Sequence, residues 1–189
     1  MDQPAEYFSK SPAAGRMGKA TEYLIAATCI LTTRGELNVS TSLVDDEGVD
    51  LVFNRRDSPS TLAVQVKSRM SDGMHVASGK FIAFVRASTF SPRRDLDMLF
   101  AAVDVRTGAL MLSWLVPSPD FADRAGTPNM RGRLRFNASM KPSSNDKWSS
   151  FRLSAEQLAP RVLDRLIELA ADSRDDIESH RPSSSNRWP

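Results

Sequence analysis

The stretch from Glu47 to Ser68 constrains this chain more than any other. Glu47-Gly48-Val49-Asp50-Leu51-Val52-Phe53 and Leu62-Ala63-Val64-Gln65-Val66-Lys67-Ser68 flank a polar break from Arg55 to Ser60. Apolar residues recur at every second position on either side of that break, which predicts two short strands joined by a tight connection. A hairpin centred near Asp57 and Ser58 sets Asp50 opposite Gln65. Side chains alternate between faces along a strand, so Asp50, Gln65 and Lys67 share one face and Val49, Leu51, Phe53, Leu62, Val64 and Val66 share the other. The apolar face is the core face. A slip of one residue would bury the polar set and expose the apolar one, so the register is well specified.

The polar set has a chemical logic. A carboxylate oxygen is a hard ligand for a hard cation such as Mg²⁺, and a glutamine carbonyl adds a neutral oxygen beside it. A lysine two residues on can orient an attacking water and offset charge growing on phosphoryl oxygens. Asp50, Gln65 and Lys67 therefore form a donor set suited to metal-assisted attack on a phosphodiester.

With Asp50 followed by Gln65-Val66-Lys67, the stretch resembles the PD-(D/E)XK nuclease superfamily, and within it the Holliday-junction-resolvase-like and intron-endonuclease-like branches, some of which carry Gln-x-Lys. The acid on the preceding helix would be Glu22, in Gly18-Lys19-Ala20-Thr21-Glu22-Tyr23-Leu24, and the likeness spans residues 15 to 116. It implies an α/β, restriction-endonuclease-like core, a central mixed β-sheet flanked by helices. It also implies a metal-dependent DNA endonuclease, with Glu22, Asp50, Gln65 and Lys67 as catalytic residues and Mg²⁺, or Mn²⁺ in its place, held by Asp50, Gln65 and Glu22. Gln65 stands where most relatives carry an acid, which removes one negative charge from the site. Asp45, Asp46 and Glu47 lie at the mouth of the hairpin, and Asp46 is the one expected to restore that charge. The superfamily resemblance also favours a homo-oligomer. The alternative is a catalytically silent nuclease-like module that binds DNA or a partner protein.

The helix carrying Glu22 is legible separately. Met17, Ala20, Leu24, Ala27 and Leu31 fall on one helical stripe, and Ile25, Ala26, Cys29 and Ile30 fill much of the rest, which predicts a helix buried nearly all round. A carboxylate in such surroundings must be paired, protonated or bound to a metal. Simpler roles remain open for each residue: a surface cap for Glu22, a turn-proximal surface position for Asp50, and a strand-end lysine snorkelling to solvent for Lys67.

Farther on, Phe81 to Arg86 predicts a strand, and Leu99 to Val105 with Leu110 to Val116 predict a second hairpin around Arg106-Thr107-Gly108. Those last two strands are nearly continuously apolar, so both their faces should be covered. Pro117-Ser118-Pro119 ends that run. Arg131 to Phe136 alternates and would place three arginines on one face. From Arg131 to Arg152 six basic residues face one acid, with Phe136, Trp148 and Phe151 interleaved, a surface suited to a polyanion. Arg69, Arg131, Arg133, Arg135 and Lys147 are the expected DNA contacts; the bland alternative is a charged edge strand that deters aggregation. Ser154-Ala155-Glu156-Gln157 reads as a capping box, and Pro160 as a kink or a second helix start. Val162, Leu163, Leu166, Ile167 and Ala170 should face inward, with Arg161, Asp164, Arg165 and Glu168 outside.

Several classes are excluded. A lone Cys29 permits no intrachain disulfide, and two distant histidines offer no zinc cluster. Gly15 to Thr21 lacks the first glycine, the hydroxyl residue and the preceding strand of a phosphate-binding loop, so no nucleotide cofactor is expected. The longest apolar run, Tyr23 to Leu31, is too short to span a bilayer, which points to a cytoplasmic protein without a membrane partner. At 189 residues, 41% hydrophobic and 25% charged, the chain suits one domain, expected over 15–171 between mobile tails 1–14 and 172–189.

Overall fold

A computed structural model describes residues 12–41 and 48–179, with side chains as far as residue 172. Its elements are α1 (Pro12–Thr32), β1 (Leu37–Thr41), β2 (Leu51–Arg55), β3 (Thr61–Met70), α2 (Met74–Ala77), β4 (Lys80–Arg86), β5 (Leu96–Asp104), β6 (Ala109–Pro117), α3 (Ser118–Ala125), β7 (Arg133–Ser139), β8 (Arg152–Leu153) and α4 (Ala155–Ser179). Helices α1 and α4 thus take in residues 12–14 and 172–179, which the sequence had suggested as parts of the tails. Among the described residues no helix is long and apolar enough to cross a membrane.

The expected mixed α/β architecture is present. Six strands form one sheet in the order β1-β2-β3-β5-β6-β8. Every neighbouring pair is antiparallel except β3 and β5, whose parallel pairing requires a crossover connection, here through α2 and β4. The strand at Phe81 to Arg86 does not join this sheet. It pairs with β7 as a separate two-stranded sheet. Turns follow local chemistry: Gly108, between β5 and β6, takes φ 65°, a conformation that costs glycine least.

Eight consecutive residues of β5, Leu96 to Val103, are buried, because the sheet is covered on both faces. On one face Leu51, Phe53, Leu62, Val64, Val66, Leu99 and Ala101 pack beneath Ile25 and Cys29 of α1 and Leu158, Ala159, Val162 and Leu166 of α4. On the other, Met98, Phe100, Ala102 and Trp114 pack against Phe81, Phe121, Phe136 and Trp148. The Phe100 and Phe136 rings stack at 3.7 Å between centroids. Phe136 and Trp148, expected at a nucleic-acid surface, are fully buried here. The β7 alternation accounts for Phe136, since it turns inward with Leu134 and Ala138 and leaves Arg135 outside.

The helix faces differ from expectation in two places. On α1 the buried stripe is Thr21, Ile25 and Cys29, while Met17 and Leu31 stand 41% and 76% exposed. Two apolar stripes run along this helix and the sheet can cover only one. Burial pushes the Cys29 thiol up to about 12. On α4, Arg165 is buried and Ile167 is exposed, the reverse of what was expected. The reason is Asp97 of β5, fully buried, which accepts from Arg165 Nε at 2.9 Å and Nη2 at 3.0 Å. This paired fork anchors the helix to the sheet centre. The helix start behaves as a capping box in part: the Gln157 side chain accepts the Ser154 N–H at 2.8 Å, while the Ser154 hydroxyl donates to Glu156. Pro160 lies within a single continuous α4. Helix α3 begins within Pro117-Ser118-Pro119, where proline in the first turn is tolerated because that N–H has no helical partner.

Candidate active site

The β2–β3 hairpin has the expected register. Leu51 pairs with Val64 and Phe53 with Leu62, and the ladder ends one step short of Asp50 and Gln65. Beyond that point β3 continues to Met70 alongside β5 alone, so the two strands part at Asp50. Two hydrogen bonds hold Asp50 there. Its N–H donates to the Val64 carbonyl at 3.0 Å, and its carboxylate accepts the Val66 N–H at 2.6 Å. Asp50, Gln65 and Lys67 are all partly exposed at this opening, while the alternating Val64 and Val66 face the core.

Gln65 lies against the backbone. Its Nε2 sits 2.3 Å from where a Cβ would be at Gly48, whose φ is +71°. Glycine suits this position for its conformation, and its missing side chain leaves room for the amide. Gly48→Ala is expected to cost about 1 kcal/mol from the left-handed backbone and to push the Gln65 amide aside. Urea unfolding checks the first part, since an unchanged midpoint would mean the loop absorbs the methyl freely.

Glu22 lies toward the covered side of α1, its side chain 13% exposed, and accepts Lys19 Nζ at 2.8 Å. The hydrogen bond that Lys19 donates to Glu22 raises its ammonium above its usual value, with a smaller contribution from the charge of Asp50. Helix α1 thus brings an acid–base pair to the end of the hairpin where Asp50 sits. The spacing of three between Lys19 and Glu22 is itself a helical pairing signal in the sequence. Asp46, with Asp45 and Glu47, lies outside the described residues. Among the described residues no three acids, histidines or cysteines cluster in a way that could hold a metal ion. The residues that could hold a cation would offer it oxygen donors, one carboxylate at Asp50, a second at Glu22 and the Gln65 amide. This donor chemistry fits a hard divalent ion.

The expected DNA contacts separate into two groups. Arg69 turns inward, its Nε donating to the Ile82 carbonyl at 2.9 Å and its Nη1 to the Ser68 carbonyl at 2.7 Å, and burial lowers its value. It ties β3 to β4. Lys147 is engaged with the Arg124 carbonyl, and Arg124 returns a hydrogen bond to the Lys147 carbonyl at 2.5 Å. Arg131 lies exposed in the turn before β7 rather than in the strand. Arg133 and Arg135 lie on the outer face of β7, opposite Arg86 and Phe84 of β4. The basic surface is accordingly the outer side of the small sheet, and Arg86 is a member the sequence had not singled out. A cavity of about 730 Å³ lies at the other end of the hairpin, lined by Arg55, Arg56, Asp57, Leu166 and Ile167. It is separated from Asp50 by the length of β2.

Neither a protein-family model nor a curated protein matches the chain. Among solved structures, the chain is similar to a bacterial homing endonuclease, I-Ssp6803I, with a TM-score of 0.52 over 88% of this chain and 99% of that one. The fold is similar to that of a homing endonuclease. At 18% identity the likeness is one of architecture.

Proposed function

We propose that this chain is a Mg²⁺-dependent DNA endonuclease of the PD-(D/E)XK type, with Mn²⁺ able to substitute, acting as a homo-oligomer. The observation that supports this best is the parting of β2 and β3 at Asp50, with Gln65 and Lys67 following on β3 in a fold similar to a homing endonuclease. Asp50 and the Gln65 amide oxygen would hold the cation, Glu22 would contribute directly or through water, and Asp46, two residues before Gly48 in the sequence, would restore the missing charge. The cation, when bound, supplies Lewis acidity at the phosphoryl oxygen and acidifies water. Lys67 orients the attacking water and stabilises the growing negative charge. Arg131, Arg133 and Arg135, with Arg86, bind the phosphate backbone, while Arg69 and Lys147 shape the surface.

A second reading, a silent DNA-binding or protein-interaction module, has its own observations. The Asp50 carboxylate already accepts a main-chain N–H, Glu22 already accepts Lys19, and Gln65 carries no charge. Gln65→Glu separates the two. The nuclease reading expects Mg²⁺ to bind the variant more tightly, because a charged carboxylate then replaces a neutral amide oxygen among the ligands. Calorimetric titration without DNA reads this. No heat in either protein favours the silent module.

A further inference from the structure

A second stripe of α1, covered by the sheet only at its middle, has a regular composition. Ala13, Ala20 and Ala27 recur every seven residues, and Met17, Leu24 and Leu31 recur every seven residues between them. The three alanines are exposed and Leu24 is partly buried. Met17 and Leu31 are large apolar side chains facing water, flanked by Tyr23 at 58% and Ile30 at 37% exposure. Such a seven-residue repeat of apolar pairs is the seam along which two helices pack knobs into holes. On this helix the seam runs beside the Ile25 and Cys29 stripe that the sheet covers, and Leu24 at its middle also packs against that core.

We propose that this face is the interface with a second copy of the chain, the two α1 helices packing antiparallel about a twofold axis level with Glu22. Size complementarity selects this arrangement. Antiparallel alignment about that midpoint sets Ala13 against Leu31, Met17 against Ala27 and Ala20 against Leu24, so every small residue receives a large one from the partner. Parallel, in-register pairing would instead stack alanine on alanine and leucine on leucine, leaving layers alternately loose and crowded.

Charge selects the same arrangement. The charges of α1 are Arg16 and Lys19 in its first half and Glu22 at its midpoint, and residues 23 to 32 carry none. Parallel pairing would bring Arg16 against Arg16. Antiparallel pairing sends Arg16 toward Thr28 and the carbonyl end of the facing helix, where the partial negative charge of the helix terminus favours a cation. Glu22 projects from the opposite side of the helix and stays with Lys19 and the candidate site. The contact is isologous and closes on itself, as a dimer interface must.

This deepens the homo-oligomer part of the proposed function, and its test is independent of cleavage. Sedimentation equilibrium of the full chain is expected to give twice the 20.9 kDa chain mass. Met17→Glu with Leu31→Glu is expected to return it to 20.9 kDa and to leave a cooperative thermal melt that no longer depends on protein concentration, because both side chains are exposed in the single chain. Orientation is read by cross-linking. Cys29 is buried and gives no background, so Ala13→Cys and Leu31→Cys can be made singly. Mixed together under mild oxidation, they should form a disulfide-linked pair that neither forms alone, since like positions lie about 27 Å apart along an antiparallel pair at about 1.5 Å per residue. A monomeric wild type, a charged variant that remains dimeric, or cross-linking of each variant with itself would overturn the proposal. A dimer that cleaves no DNA would sink the nuclease reading and leave this interface standing.

Discussion

Lys67→Ala is expected to slow Mg²⁺-dependent cleavage by about 100-fold or more, the usual cost of removing one group that stabilises charge developing in the transition state. Its melting temperature should stay near that of the wild type. Lys67 is partly exposed on β3, pairs through its backbone with Phe100 of β5, and leaves the ladder intact when truncated. DNA affinity should fall by no more than one lost phosphate contact, with the salt dependence reduced by about one charge. Arginine is not expected to rescue the loss, because a flat, permanently charged fork cannot replace a compact ammonium beside the attacking water. Full cleavage by the alanine variant would remove Lys67 from the mechanism. A fall in binding equal to the fall in rate would make it a backbone contact only.

The second large effect concerns stability. Arg165→Met should destabilise the fold by about 3–5 kcal/mol, the usual cost of leaving one member of a buried pair without its partner. Asp97 is fully buried, and Arg165 also donates to the Arg94 carbonyl at 3.2 Å and to Glu168 at 2.6 Å. Burial works against the guanidinium charge, but Asp97 and Glu168 outweigh it and raise the Arg165 value. Burial likewise raises the Asp97 carboxyl, with Arg165 pulling it back down. A carboxyl whose folded value lies above its unfolded one favours folding at low pH, and that benefit is lost as pH rises through the folded value. Without Arg165 the folded value rises further. The variant should therefore be weakest at neutral pH and recover part of its stability as pH falls toward the ordinary carboxylate range. Urea unfolding at about pH 7 and about pH 5 reads the difference. Asp97→Asn combined with Arg165→Met should regain much of the loss, since no buried charge is then left alone. Equal losses in the single and double variants would show that packing, not charge, matters at this position.

The hairpin and its register were legible because period-two alternation with only a few polar interruptions admits one pairing. The continuous apolar run of β5 likewise announced a strand covered on both faces. Helix α1 was harder for a physical reason: two apolar stripes share it, and sequence alone does not say which the sheet will take. The Asp97–Arg165 pair joins residues 68 positions apart, so no local pattern could reveal it. Helix α3 was hidden because proline ends one element and begins the next with the same residue. At the candidate site, Asp50 and its relation to β3 were visible in the spacing. The Lys19–Glu22 pair and the contact between Gln65 and Gly48 were not, because each depends on rotamers and on backbone that only the folded chain defines. The basic stretch was correctly seen as charged, but its aromatics serve the core.

The most direct measurement is single-turnover cleavage of duplex and branched DNA by the wild type and by Asp50→Asn, at protein concentrations that saturate the DNA, with Mg²⁺ and with EDTA. The wild type is expected to cleave in Mg²⁺ but not in EDTA and Asp50→Asn to cleave at least about 100-fold more slowly, with both proteins bound to the DNA equally. Cleavage that persists in EDTA, or that is unchanged when Asp50 loses its charge, would contradict the nuclease reading.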